Sequence, residues 1–107
     1  MTKYRAKPTT IAGIRFASRA EANRYLELSL LQKAGEIASL QTHPRFTVWQ
    51  HGKEKIIYEA DFSYYEDGQQ VVEDVKGGKG TQTAVFKLKA RMFKAMYPDI
   101  RFVIVER

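Results

Sequence analysis

At 107 residues the chain has room for one domain with a single modest core, and its 44% hydrophobic content is ordinary for a folded protein. It has no cysteine, which excludes a disulfide scaffold and thiolate metal sites, and no apolar run near the ~20 residues that cross a bilayer. The net charge of +6 points to a polyanionic partner, nucleic acid first.

Residues 1–12 carry Lys3, Arg5 and Lys7 and read as a flexible basic arm, without the apolar stretch of a signal peptide. A single domain is expected over 13–107. Ile14 and Phe16 suggest a short strand. Ser18 followed by Glu21 has capping-box spacing and opens a helix to about Ala34, with Gly35 as its stop. Its leucines and Tyr25 cover much of the circumference, which predicts packing on more than one side. A strand over 37–41 is broken by His43-Pro44. Phe46 to Trp49 is a second strand, and a turn at 51–53 leads into strands near 55–65 and 69–76. Gly77-Gly78-Lys79-Gly80 is a basic loop that lacks the P-loop pattern. Thr81 or Thr83 caps a second helix ending near Tyr97, with Val85, Leu88, Met92 and Met96 as its apolar stripe and Lys87, Lys89, Arg91 and Lys94 making it basic. Arg101 to Val105 is a last strand, joined by a right-handed crossover to a parallel neighbour.

Asp67-Gly68 between two β-prone runs predicts a two-residue type I′ hairpin. Paired residue numbers then sum to 135, so Asp61 lies opposite Asp74, and Lys76 shares the face of Asp74. Opposed like charges are destabilising, and a divalent cation between them is the natural remedy. The plainer alternative is a solvated face on which Glu59 pairs with Lys76. Glu21 either completes the Ser18 cap or reaches the acids from the helix face it shares with Tyr25 and Leu28. His43 and His51 form no paired-histidine motif, so zinc is not expected. Trp49 and the tyrosines read as packing residues.

Taken in order, Glu21, Asp61 and Asp74-Val75-Lys76 resemble the PD-(D/E)XK nuclease superfamily. The segments Gly13 to Glu21 and Val72 to Gly77 are similar to a phage-borne family of small uncharacterised proteins near phage junction-resolving endonucleases. The resemblance spans roughly residues 13 to 105. It implies a restriction-endonuclease-like αβββαβ core, a mixed central sheet flanked by helices. It also implies a Mg²⁺-dependent DNA endonuclease, with Mn²⁺ able to substitute and branched DNA as a candidate substrate. Glu21, Asp61, Asp74 and the Val75 carbonyl would hold metal, and Lys76 would act on the attacking water. Arg19, Lys79, Thr81, Lys87 and Arg91 would contact DNA. A homodimer in the cytoplasm of a bacterial host, with no membrane and no small-molecule cofactor, completes the expectation. Ala60 stands where proline is commonest. Asp74 stands where Glu is commonest, with Glu73 beside it, so a bulge would make Glu73 the ligand. The alternative is a non-catalytic nucleic-acid-binding or assembly module on the same fold, or a protein acting on RNA.

Overall fold

The structure is a computed structural model that describes residues 7–77 and 82–107. The chain opens with β1 (Thr9–Ile11) and β2 (Ile14–Phe16), an antiparallel hairpin. Part of the expected arm is therefore a strand. Ala12 and Gly13 take φ of 51° and 80°, and positive φ at both central residues is what a type I′ turn requires. Helix α1 (Arg19–Lys33) follows, with Ser18 Oγ accepting the Glu21 N–H at 3.1 Å. Its packed face carries Glu21, Ala22, Tyr25 and Leu28. Leu26, Leu30 and Leu31 stay exposed, so the helix packs on one side and not on several.

The chain continues through β3 (Ala38–Thr42), β4 (Arg45–His51), β5 (Glu54–Glu59), β6 (Phe62–Glu66), β7 (Gln69–Lys76), α2 (Ala84–Met96) and β8 (Arg101–Glu106). The central sheet has the order β3-β6-β7-β8; its first two pairings are antiparallel and the last is parallel, as a crossover through α2 requires. The fold is thus mixed α/β. The hairpin register is as the Asp-Gly turn dictates: Glu66 pairs with Gln69 and Phe62 with Glu73. Asp67 and Gly68 both have positive φ, 51° and 77°.

The expected strand over 55–65 is two strands. β5 pairs with β4 in a separate hairpin, and β6 belongs to the central sheet. The break coincides with the break between β3 and β4. His43 N–H donates to the Asp61 carbonyl at 2.9 Å, and Ala60 N–H donates to the Pro44 carbonyl at 3.0 Å. Both strands of one ribbon therefore bend at the same place. β3 and β6 stay in the sheet while β4 and β5 lean over α2. Ala60 is fully buried at this bend, where a larger side chain would have to displace its neighbours.

The sheet separates two cores. On one side Phe16, Ala22, Leu28, Phe62, Tyr64 and Val71 pack under α1 and the β1–β2 hairpin. On the other, Val48, Tyr58, Val72, Phe86, Ala90 and Phe93 pack between α2 and the β4–β5 hairpin. Thr83 caps α2 by accepting from Phe86 N–H. The buried face of α2 is Phe86-Ala90-Phe93, with Tyr97 beyond it. Val85, Leu88 and Met96 of the expected stripe are exposed, because the aromatic face adjacent to it has more apolar area to bury.

Period-two alternation sends successive β7 side chains to opposite cores. Glu73, only 1% exposed, points to the α1 side, where Arg24 donates to it twice (2.8 and 2.6 Å) and the Tyr64 hydroxyl donates at 2.5 Å. Glu73 is thus a structural ion-pair partner and not the site acid. Removing one partner of a buried pair strands the other charge, at a cost of about 3–5 kcal/mol. Arg24→Met should lower unfolding free energy by about that amount in urea titration. Arg24→Met combined with Glu73→Leu should recover most of the loss, because no stranded carboxylate remains.

Candidate functional site

The bend gathers groups that are distant in sequence. His43 and Pro44 end β3, and Ala60 and Asp61 precede β6. Ser18 and Glu21 open α1, and Asp74 to Lys76 end β7. From these segments Ser18, Glu21, Asp61 and Asp74 to Lys76 meet the start of α2 around a cavity of about 610 Å³. Glu21, Asp61, Asp74, Val75 and Lys76 all line it, so the structure brings together every residue expected to carry catalysis or hold a metal.

Their roles differ from the simplest expectation. Asp61 sits one residue before β6, and its carboxylate accepts the Val75 N–H at 2.7 Å while lying near enough to Asp74 to feel its charge. Val75 therefore enters the site through a backbone donor. Asp74 is buried, with one carboxylate oxygen 2.8 Å from the Lys76 ammonium and the other accepting from the Tyr58 hydroxyl. Burial, and next the Asp74 charge, raise the Tyr58 phenol well above its ordinary value, so it stays a donor. Lys76 also lies 3.8 Å over the Phe86 ring, a cation–π contact that fixes its direction. It does not pair with Glu59, which instead meets Arg45 at 3.2 Å across the β4–β5 hairpin.

Glu21 resolves the question of cap against site. Its backbone N–H serves the Ser18 cap, and its side chain lies 2.8 Å from His43 Nε2. Glu21, His43 and Asp61 each present a ligand atom, all within 4.8 Å of one another, so the donor set fits a cation. Burial, then the Asp74 and Glu21 charges, push the Asp61 carboxyl up to about 8. A bound cation would remove that penalty.

The same cavity has an anion-attracting wall. The first turns of both helices open on it, at Ser18 and Thr83, and the first turn of α2 holds no acid to offset its partial positive charge. Lys89 adds to the wall, and Arg45 also lines the cavity beside its ion-pair partner Glu59. Lys87 and Arg91 are exposed and line an adjoining cavity of about 370 Å³ with Lys94, and Phe86 borders both. Arg19 is exposed at the start of α1 but does not line the main cavity. Lys79 and Thr81 lie outside the described residues.

His43 and Tyr58 are the site residues that sequence reasoning passed over. The one local sign of His43 is its place before Pro44. Its φ of 54° is in the left-handed region, which histidine enters more readily than most residues, and the bend there turns the ring toward Glu21. The Asp61 carboxyl has an ordinary value of 3.8, so in the unfolded chain it ionises near pH 4, whereas in the fold it holds its proton to about pH 8. The folded state binds the extra proton between those values, so this group makes stability fall as pH rises from about 4 to about 8. In chelator, Asp61→Asn should therefore stabilise the protein, by on the order of 2 kcal/mol more at pH 8 than at pH 5 in urea titrations. An advantage that does not change with pH would refute the assigned cause.

No curated protein and no solved structure matches the chain. A family of proteins of unknown function, DUF1064, matches it over residues 1–107. The chain therefore belongs to the DUF1064 family.

Proposed function

We propose that this chain is a metal-dependent endonuclease that hydrolyses DNA phosphodiester bonds, with branched phage DNA such as a four-way junction as its substrate. The observation that carries the reading is the double character of one cavity. Glu21 and Asp61, which line it, form a cation-sized cluster with His43, and two helix N-termini, Lys76 and Lys89 face the same space with positive charge. A cation and a phosphate can be held side by side there, which is what phosphodiester hydrolysis requires. The order α1-β3-β6-β7-α2-β8, with β4–β5 as an inserted hairpin, also supports a restriction-endonuclease-like core.

The residues divide the work. Glu21 and Asp61 supply carboxylates to Mg²⁺ or Mn²⁺, which when bound provides Lewis-acid polarisation and an activated water. Asp74 and Tyr58 hold Lys76 in place. Lys76, an ammonium already paired with a carboxylate, donates hydrogen bonds to the reacting phosphoryl group and offsets its developing charge. The Val75 N–H fixes the Asp61 carboxylate. Lys87, Arg91 and Lys94 along α2 follow the phosphate backbone away from the cut. These contacts recognise backbone and shape more than base sequence. Two symmetric cuts in a junction call for a second copy, and the exposed Leu26 and Leu30 of α1 are the face we assign to it. Among the described residues no helix is long and apolar enough to cross a membrane, and a cytoplasmic setting follows from a DNA substrate.

Supercoiled and four-way-junction DNA should be nicked by the protein in Mg²⁺ or Mn²⁺ and left intact in chelator. Asp61→Ala and Lys76→Ala should each reduce the rate about 10²-fold or more. DNA left whole across the divalent ions, or cleavage that survives Asp61→Ala, would falsify the reading. Binding that depends on salt but not on chelator would then favour a non-catalytic nucleic-acid module.

A further inference from the structure

We infer that His43 is a metal ligand, and that with Glu21 and Asp61 it makes the site selective for a first-row transition-metal dication over Mg²⁺ or Ca²⁺. The inference rests on the metal dependence proposed above and specifies which ion is held and by what. Three observations carry it. First, the ring is aimed at the acids, with Nε2 2.8 Å from Glu21 Oε1 and ligand atoms of all three residues within 4.8 Å of one another. Second, the aim is built into the backbone. The His43 N–H is tied to the Asp61 carbonyl at 2.9 Å, so the two residues share one corner. His43 φ of 54° is a left-handed conformation that residues with a Cβ adopt only at some cost. Third, the ring packs beside Phe16, with centroids 5.8 Å apart, which supports it on one side.

The chemistry of the donors then decides the ion. Mg²⁺ demands near-ideal octahedral oxygen donors and Ca²⁺ takes oxygen ligands, whereas an imidazole nitrogen suits the transition metals. Two carboxylates and one imidazole therefore form a mixed nitrogen–oxygen set. An all-oxygen site of Glu21, Asp61, Asp74 and the Val75 carbonyl, as the sequence suggests, would suit Mg²⁺ as well. The competing role for His43 is to orient Glu21 by a hydrogen bond without touching the ion, and the two roles differ in what they do to different ions.

The test uses the full chain stripped with chelator and titrated calorimetrically with Mn²⁺ and with Mg²⁺. His43→Asn removes the imidazole and keeps a residue that tolerates positive φ; His43→Gln is the second variant. Wild type should bind Mn²⁺ at least ~10-fold more tightly than Mg²⁺. Both variants should lose about 10–100-fold in Mn²⁺ affinity, while Mg²⁺ affinity changes by less than about 3-fold. Co²⁺ should give a paramagnetically shifted imidazole N–H resonance in wild type that is absent from the variants. Wild-type Mn²⁺ affinity in either variant overturns the inference. So does an equal loss for both ions, which assigns His43 to positioning Glu21. Cleavage of DNA at limiting Mn²⁺ that is unchanged in His43→Asn also sinks this inference, and leaves the nuclease reading standing. His43-dependent Mn²⁺ binding in a chain that cuts no DNA supports the metal site and removes the nuclease.

Discussion

The arrangement depends on a shared bend. Two backbone hydrogen bonds, His43 to Asp61 and Ala60 to Pro44, lock the end of one strand pair to the start of the other. Pro44 offers no N–H to continue a ladder, and Ala60 is small enough to be enclosed. Without the bend β4 and β5 would extend the sheet, and nothing would cover the aromatic face of α2. With it, His43 and Asp61 stand at a corner opposite the first turn of α1. The acids gathered there oppose folding, since like charges in a partly buried space raise each other's cost. Tolerating that cost is characteristic of a site that is completed by something it binds.

The central sheet then acts as a divider. β7 delivers Glu73 to one face and Asp74 and Lys76 to the other. Glu73 spends its charge on Arg24 and Tyr64, deep under α1. Asp74 spends its charge on Lys76 and Tyr58 at the cavity wall. Two adjacent acids thus have unrelated environments, one structural and one facing the cavity. The Arg24 network continues through Glu27 to Arg107, so the last strand is tied back to α1 by the same chain of charges.

Local chemistry was legible in the sequence wherever one residue type has one dominant use. Asp67-Gly68 set the hairpin and its register. Ser18 and Thr83 marked helix starts, and Gly35 a helix end. Period-two alternation put Asp74 and Lys76 on one face. The misreadings came from tertiary effects. Ala12-Gly13 forms a turn that Ala does not advertise, so the sequence leaves residues 9–11 within a basic arm. The 55–65 run is β-prone throughout, and only the partner strand reveals its bend. In α2 two apolar stripes compete, and the choice between them belongs to the hairpin that packs against the helix. His43 was invisible because its contact with Glu21 spans 22 residues and exists only after the ribbon bends.

The electrostatics of the cavity also imply an order of events. A phosphate approaching alone would meet Glu21, Asp61 and Asp74 as well as the lysines, and the acids would oppose it. A cation approaching alone relieves the acids and changes the net charge of the space in one step. Under the proposed function the two ligands would help each other. Each lowers the cost of the other by the same coupling free energy, since binding linkage is reciprocal. On that proposal the exposed basic side of α2 would attract a polyanion at long range, while the acids of the cavity would withhold tight engagement until a cation is present. The separation of an attracting rim from a discriminating corner would then follow from where the bend places His43 and Asp61. The same residues spread along an unbent ribbon would hold neither ion.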